Sequence, residues 1–444
     1  MSKHPYSMFK KLTFALLSIA ILTSALHGQT PEEVVEAVTE TAASIEVEVS
    51  NLDSGDTAWM LMSTALVLFM MIPGLALFYG GLVNKRNVLS VLMHCFALTA
   101  LLSIVWLIIG YTLAFSGHGK WLGDLGALFH KGVEGGDGIP NILFSAFQMT
   151  FFVITPGLIV GTFVERVKFN AVLIFSVLWA LVVYAPICHM TWSPGGWFYE
   201  MGVVDLAGGI VVHITAGVAA LVFCIMLGAR KDPRPPHNLP MTVIGAAMLW
   251  VGWFGFNAGS QGGANEAAAL TLFVTHISAS AGALTWMFIE WKTIGKPSIL
   301  GIATGSIAGL AAITPASGVA GPLGALLIGT VSGALCWYAS VKLKNRFKYD
   351  DSLDVVGVHG VGGLVGTLLA ALVGIEAMGG GGGFTFGEQI VKQAIGAGVT
   401  TVYTLVATIA LLYLTKLLCG GLRVSEREEI DGLDQSDHGE TAYN

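Results

Sequence analysis

Two stretches of sequence decide the fold: Asp205-Leu-Ala-Gly-Gly-Ile-Val-Val-His213 and Asp354-Val-Val-Gly-Val-His359. In each, an aspartate precedes a histidine inside a glycine-rich apolar segment, and another glycine follows four residues later, at Gly217 and Gly363. An ionisable side chain is costly at membrane depth, which makes both histidines candidates for function. A matched pair of such segments indicates two related halves that meet around one pathway.

The composition of the chain is that of a membrane protein. Of its 444 residues, 54% are hydrophobic and only 11% are charged, whereas soluble domains carry about 25% charged residues. The 57 glycines fit this class, because small residues let membrane helices approach closely. No basic tract is interleaved with aromatic residues, so nucleic acid is not expected as a partner. We predict an all-α polytopic membrane protein.

Eleven apolar segments follow Asp56, each close to the length needed to cross a bilayer. They run over Ala58–Gly80, Val88–Phe115, Ile142–Val164, Ala171–His189, Ala207–Leu227, Met241–Phe256, Ala268–Trp291, Ser298–Ile313, Pro322–Val341, Val355–Gly374 and Ile390–Leu418. Spans one to five and spans six to ten begin on opposite sides of the membrane. The two Asp-to-His stretches are therefore equivalent, which predicts an inverted repeat with a site near the midplane and an extra span eleven.

Positive charges predict the orientation of these spans. If the mature N-terminus lies outside, sixteen lysines and arginines fall on the cytoplasmic side. The outer side then holds only Lys120, Lys131 and Lys392. This asymmetry predicts that the C-terminal tail, residues 420–444, lies in the cytoplasm.

The chain before the first span divides into two predicted segments. Residues 1–28 have the pattern of a signal peptide, with three lysines ahead of the 15-residue apolar run Leu12–Leu26. This run is shorter than the roughly 20 residues of a spanning helix, and an uncleaved anchor is the alternative. Residues 29–57 contain many acids and no lysine or arginine, and we expect an acidic extracytoplasmic segment.

The paired aspartates and histidines admit several roles. Asp205 and Asp354 each open an apolar helix, where a structural N-cap that accepts backbone N–H bonds is expected. His213 and His359 are suited to proton relay, hydrogen bonding to a small polar substrate, or metal ligation. A metal is the weakest of these, because no carboxylate or thiol has ligand spacing around them.

The distance between the histidines cannot be read from their spacing alone. Eight helical residues rise about 12 Å and five rise about 7.5 Å, within a hydrocarbon core of about 30 Å. If both aspartates lay at the membrane surface, the two imidazoles would not meet. Contact requires helix starts that are recessed below the surface.

Aromatic residues cluster near the predicted outer ends of the spans. Trp192 lies in the loop after span four, and Phe151 and Phe256 lie near the ends of spans three and six. An interfacial aromatic belt is the ordinary explanation. The alternative is a cation–π site for a small cation, with the Ser260 hydroxyl as a hydrogen-bond acceptor.

Several motifs extend this pattern along the chain. They include Ile72-Pro-Gly-Leu-Ala-Leu-Phe-Tyr-Gly-Gly81, Asp205-x-Ala-Gly-Gly209 with His213, Gly252-Trp-Phe-Gly-Phe-Asn-Ala-Gly-Ser260 and Val358-His-Gly360. In this order and spacing the chain from Trp59 to Tyr443 resembles the ammonium transporter family (Amt/Mep/Rh), in its bacterial Amt branch. The resemblance implies a transporter domain at residues 58–419 and a regulatory tail at residues 420–444.

The family resemblance also implies roles for individual residues. Phe151, Trp192 and Ser260 would recruit ammonium at an outer vestibule, with Asp205 supporting that site. Phe151 and Phe256 would form a stacked gate beneath it. The implied pore lining comprises His213 and His359 as a hydrogen-bonded pair, together with Trp253 and Thr314.

At the level of the whole protein, the resemblance implies a homotrimer in the bacterial inner membrane. Each protomer would have its own pore and require no cofactor, and the cytoplasmic tail would receive a PII-type regulatory protein. The expected function is ammonium transport rather than catalysis: ammonium is deprotonated, ammonia crosses the pore, and the proton travels separately, so that uptake is electrogenic. An ammonium sensor that signals through its tail is the alternative, and a haem-binding redox enzyme is a third hypothesis.

Overall fold

Eleven apolar helices, labelled α1 to α11, make up most of the chain in the computed structural model, which describes residues 51–443. Their bounds are Ser54–Leu82, Val88–Phe115, Asn141–Phe163, Phe169–Met201, Gly209–Leu227, Leu239–Gly259, Glu266–Ile294, Ile299–Ile313, Pro322–Phe347, Val356–Val373 and Phe386–Leu418. Each corresponds in order to one predicted apolar segment. The predicted signal peptide and most of the acidic segment lie outside the described residues.

The described chain forms an all-α polytopic membrane protein. Ten of its helices between residues 51 and 443 are long and apolar enough to cross a bilayer, whereas α8 has only 15 residues. Ten of the eleven predicted spans are thus helices long enough to cross a bilayer. That α8 also crosses stays a prediction. The only strands in this part of the chain are the two-residue pair Gly136–Asp137 and Ile139–Pro140.

Helix α4 extends beyond its predicted end at His189. Its regular part continues through Trp192 and is interrupted at residues 193–196 before a last turn, Trp197–Met201. Trp192 is thus the last residue of a helix, whereas the sequence placed it in a loop. The helix fixes the indole more firmly than a loop would.

The two halves of the fold meet where α5 and α10 cross. Helix α5 packs on the first turn of α10, and α10 packs reciprocally on the first turn of α5. Glycines permit this approach: Gly217 faces the backbone of Gly360, and a Cβ atom at Gly363 would lie 2.7 Å from the Cβ of His213. Such reciprocal packing is the arrangement that an inverted repeat predicts.

The C-terminal tail folds back against the end of the helix bundle opposite Trp192. It contains two short helices, α12 (Glu426–Asp431) and α13 (Leu433–His438). The Leu433 N–H donates to Asn87 Oδ1 at 2.8 Å, and the Ser90 N–H donates to Asp434 Oδ1 at 2.8 Å. The tail is therefore docked on the first turn of α2.

Candidate functional site: two cavities joined by an aromatic pair

His213 and His359 form the centre of the candidate site. Their Nδ1 atoms are 3.2 Å apart, and their rings lie nearly parallel with centroids 5.1 Å apart. Both residues are buried. Because one Nδ1 must donate and the other accept, the two neutral rings carry opposite tautomers. One Nε2 is therefore a donor and the other an acceptor.

Both imidazoles line a narrow, mainly apolar cavity of about 10 Å³. That volume is close to the minimum needed for one water-sized molecule. The cavity is lined by Met70, Leu75, Phe78, Tyr79, Ile154, Leu158, His213, Leu249, Trp253, Phe256, Ile307 and His359. The Tyr79 hydroxyl donates to Leu158 O, and Nε2 of His213 has no hydrogen-bond partner within the described chain. The imidazole nitrogens thus supply the free polar groups of this cavity.

Trp253 and Thr314 support the histidine pair from the side. The Trp253 Nε1–H donates to Thr314 Oγ1 at 2.9 Å, and both side chains are buried. The Trp253 ring stacks on His213, with centroids 5.5 Å apart and an interplanar angle of 28°. Trp253 therefore borders the cavity, and Thr314 holds its orientation from behind.

A second, wider recess lies beyond the histidines at the Trp192 end of the bundle. Its volume is about 200 Å³. It is lined by Met60, Phe144, Phe147, Gln148, Phe151, Trp192, Leu206, Gly259, Ser260 and Gly262. Three residues predicted to recruit substrate, Phe151, Trp192 and Ser260, are thus together in one recess. Gln148 also lines the recess, and no sequence pattern marked it as a candidate.

Phe151 and Phe256 separate the recess from the narrow cavity. Their ring centroids are 4.4 Å apart, and both side chains are buried. Phe151 lines the recess, whereas Phe256 lines the cavity and stacks on His213 at 6.0 Å. The aromatic pair therefore lies between the two spaces.

Asp205 organises the wall between Trp192 and His213. Its buried carboxylate accepts four backbone N–H bonds of 2.6–3.2 Å, from Gly208, Gly209, Ile210 and Val211. Its main-chain oxygen accepts the Trp192 Nε1–H at 2.8 Å. One residue therefore holds both the start of α5 and the indole of the recess.

The corresponding cap in the second half differs from the sequence expectation. At the start of α10, the Val356 N–H donates to Asp351 Oδ2 at 2.8 Å. The Asp354 carboxylate instead pairs with the Lys344 ammonium group. Because the Asp354 carboxylate is attracted to Lys344, Asp351 rather than Asp354 supplies the side-chain cap of α10.

An ionic network lies beside this cap, where α5 ends and the chain approaches the start of α10. Arg230, just after α5, pairs with Glu165 at 2.7 Å and with Asp350 at 2.9 Å. Burial by itself would lower the pKa of Arg230, but its bonds to these carboxylates raise it. Burial likewise opposes ionisation of Asp350, yet Arg230 lowers the pKa of that carboxyl. Arg230 and Asp350 are therefore both charged.

Comparisons with known proteins agree with this architecture. The model of the Ammonium Transporter Family matches residues 58–443. An ammonium transporter of Aquifex aeolicus is 44% identical over 405 residues, covering 89% of this chain and 95% of the relative. One from Bacillus subtilis is 44% identical over 404 residues, covering 88% and 99%. The chain belongs to the ammonium transporter family.

Solved structures show the same fold. The crystal structure of Candida albicans Mep2 has a TM-score of 0.79 at 31% identity, covering 85% of this chain and 88% of that one. A protein described as a Sensor Amt Protein has a TM-score of 0.80 at 27% identity, covering 86% and 98%.

Among residues 51–443, no group of three or more histidine, cysteine, aspartate or glutamate side chains is placed to hold a metal ion.

Proposed function

We propose that this protein carries ammonium across a membrane as ammonia and a proton that travel separately. The observation that carries this proposal is the linear order of the aromatic recess, the phenylalanine pair and the histidine pair. The wide recess suits a hydrated cation, whereas the narrow cavity suits one small neutral molecule. The transported species must therefore change from a cation to a neutral molecule between the two spaces.

Recruitment takes place in the recess, which we assign to the outer face of the membrane. The Trp192 N–H is already bonded to Asp205 O, so the indole offers its π-face to a cation. Cation–π attraction of this kind is worth about 2 kcal/mol when the ion is desolvated. The Ser260 hydroxyl donates to Phe256 O, which leaves its lone pairs free to accept from ammonium. Motion of Phe151 and Phe256 then opens the path inward.

Ammonium loses a proton before it enters the histidine cavity, so the molecule that enters is ammonia. Moving the bare ion into so apolar a space costs several kcal/mol even after relaxation, whereas ammonia is neutral. The N–H bond of ammonium breaks, ammonia retains the electron pair, and a proton enters the imidazole pair. The proton shared between Nδ1 of His213 and Nδ1 of His359 then shifts, and the far ring releases one from Nε2. Mass and charge are conserved: one passage moves one positive charge and leaves both rings in the opposite tautomers, which must be restored before the next proton enters.

This scheme accounts for selectivity against potassium. K⁺ has the same charge as ammonium and can also be attracted to an aromatic face. It has no proton to release, so it must either retain its charge inside the apolar cavity or remain outside. Discrimination therefore arises at the histidine cavity, and size contributes less.

Three wider features complete the proposal. The excess of lysine and arginine on the tail side supports a mature N-terminus outside and a cytoplasmic tail, in a bacterial inner membrane. The family relationship supports a homotrimer with one pore in each protomer. The docked tail is the surface we assign to a PII-type regulatory protein.

A second candidate function is ammonium sensing through the tail. It is favoured by the structural similarity to the Sensor Amt Protein and by the docking of the tail on α2. The two functions differ in flux: a dedicated sensor binds ammonium with little sustained transport. Binding of ammonium by purified protein without any current would favour sensing.

Current measurements on purified protein in liposomes test the main proposal. Ammonium pulses should give a transient inward current, and potassium pulses of equal concentration should give none above protein-free liposomes. A matched response to both cations would contradict the deprotonation mechanism. The absence of any ammonium response would contradict ammonium transport itself.

A further inference from the structure

We infer that His189 is a positioning residue for Trp192, and that it acts as an imidazolium which ties the end of α4 to the chain between α2 and α3. Loss of its proton releases one of these two ties, so recruitment of substrate depends on the external pH. The inference rests on the proposed function and deepens it, because it assigns a regulatory group to the support of the recess.

The hydrogen bonds of His189 are the first observation. Its side chain is fully buried, with Nδ1 2.9 Å from Ala114 O and Nε2 2.6 Å from Gly119 O. A carbonyl oxygen can only accept, and a neutral imidazole has a single N–H group. Both contacts are therefore hydrogen bonds only when the ring carries two protons and a positive charge. A neutral ring would direct a lone pair at one of the two oxygens.

The place of this ring at the end of a helix favours its charged form. Ala114 lies in the last turn of α2, which ends at Phe115. The last carbonyl groups of a helix have no partner inside it, and a cation near them is stabilised by the helix dipole. The contact with Gly119 O is also shorter than the usual N–H···O distance of about 2.7–3.2 Å, and hydrogen bonds from ionised donors are the shorter ones.

The charges around His189 favour the imidazolium as well. The ionisable residues on the neighbouring segments that contact this turn of α4 are Tyr111 on α2, His118, Lys120 and Asp124 on the chain between α2 and α3, Tyr199 and Glu200 on the last turn of α4, and Asp205 and His213 at the start of α5. A hydrogen bond from Ser116 is the largest cause that lowers the pKa of Asp124, and the charges of His118 and His189 lower it further. The Asp124 carboxylate therefore supplies a nearby negative charge.

The link between His189 and the recess is the second observation. His189 precedes Trp192 by three residues in the last regular turn of α4, and residues at this spacing are neighbours on a helix. The end of α4 meets the chain between α2 and α3 a second time, because the Trp197 N–H donates to Lys120 O at 2.9 Å. The Trp192 indole is held from the other side by Asp205 O. His189 therefore fixes the turn from which this indole reaches the recess.

Two substitutions at His189 separate its two bonds. The amide N–H of His189→Gln lies near the position of Nε2 and can keep the bond to Gly119 O, whereas that of His189→Asn lies near Nδ1 and can keep the bond to Ala114 O. Neither amide carries a charge. In both variants we expect the KM for ammonium to rise about fivefold, the factor equivalent to one lost hydrogen bond, with an unchanged maximal current.

The pH dependence of the KM tests the charge of the ring. Currents are measured in concentration series at several external pH values, and the KM is expressed as the concentration of ammonium ion. The wild-type KM should rise as the external pH is raised and the ring loses its proton. This rise should be absent from His189→Gln and His189→Asn, since an amide does not titrate. A merely structural role would reduce the maximal current or the amount of folded protein and leave the pH profile unchanged.

His130→Gln is the matched control. His130 also lies on the chain between α2 and α3 and contacts a carbonyl, Leu107 O at 3.1 Å, but its other ring nitrogen contacts Ser145 Oγ at 2.6 Å. A hydroxyl can donate as well as accept, so a neutral ring satisfies both of these contacts. We expect the KM of His130→Gln and its pH profile to equal those of the wild type.

The outcomes separate this inference from the proposed function. A wild-type KM that does not change with external pH would overturn the inference even if neither His189 variant folds. A folded His189 variant with the wild-type KM and pH profile would also overturn it, as would an equal loss of pH dependence in His130→Gln. Absence of any ammonium current from the wild type would refute the proposed function, and this inference with it.

Discussion

The Nδ1 atoms of His213 and His359 lie 3.2 Å apart although 146 residues separate them in the chain. A hydrogen bond between two neutral imidazoles has one donor and one acceptor, so its proton can shift from one ring to the other. That shift, with gain of a proton at one Nε2 and loss at the other, moves one charge and inverts both tautomers, which must be restored before a second proton follows. The short contact therefore makes the pair suitable as a proton path.

Close packing of glycine maintains this contact. In Gly363→Ala the new Cβ would lie 2.7 Å from His213 Cβ and 2.9 Å from Gly209 O, so the crossing helices must move apart. Displacement of reacting groups by about 1 Å can cost as much as 100-fold in rate. We expect the ammonium current of Gly363→Ala to fall by about tenfold or more.

The matched control for this change is Gly398→Ala. Gly398 lies on α11, and a Cβ at this position meets nothing within 4 Å. The Gly398→Ala variant also tests whether glycine-to-alanine changes in these helices reduce the current in general. Equal currents in the two variants would show that helix proximity at Gly363 is not required.

The indole face of Trp192 should determine the affinity for substrate. Trp192→Leu removes a cation–π contact worth about 2 kcal/mol, so the KM for ammonium should rise about thirtyfold. Trp192→Phe loses the hydrogen bond to Asp205 O and keeps an aromatic face, and its KM should rise less. Concentration series of current or uptake measure both effects.

Trp121→Leu provides a control on an aromatic residue outside the recess. The Trp121 side chain is 56% exposed and packs on Trp197, with ring centroids 4.8 Å apart. Its substitution should leave the KM unchanged. A comparable increase in KM for Trp121→Leu and Trp192→Leu would indicate a general effect of surface aromatics rather than a binding site.

Much of the helical architecture could be predicted from the sequence, because long apolar runs have few alternatives in a bilayer. The clustering of Phe151, Trp192 and Ser260 was also expected, through the family resemblance. The contact between His213 and His359 was not accessible from their spacing. Regular helix begins at Gly209 in α5 and at Val356 in α10, rather than at the preceding aspartates. A continuous helix therefore does not run from each aspartate to its histidine, as the simplest estimate assumed.

Side-chain pairing was the least predictable feature. Asp354 and Asp205 occupy similar positions in the two sequence stretches, yet Lys344 draws the Asp354 carboxylate away and Asp351 caps the helix. Lys344 lies only ten residues before Asp354, so this pairing depends on how the short connection between the two helices folds.

Arg230 should be essential for stability. Arg230→Met leaves Glu165 without its cation and leaves Asp350 with only Arg166, 3.8 Å away, and breaking a buried ion pair in this way costs about 3–5 kcal/mol. Thermal unfolding of detergent-solubilised protein should therefore occur at a clearly lower temperature. Arg234→Met is the control, since Arg234 is 54% exposed and pairs with Asp232 at the surface, where ion pairs are worth about 0–1 kcal/mol. Similar Tm values for the two variants would show that the Arg230 network contributes little.

The most direct test of the proton path is the ammonium-evoked current of a variant in which both His213 and His359 are leucine. Leucine fills similar space but cannot accept or donate a proton, and thermal unfolding confirms that the variant is folded. We predict that its current falls to the level of protein-free liposomes, while the wild type assayed in parallel gives a clear transient. A folded double variant with a wild-type current would contradict the claim that the imidazole pair carries the proton.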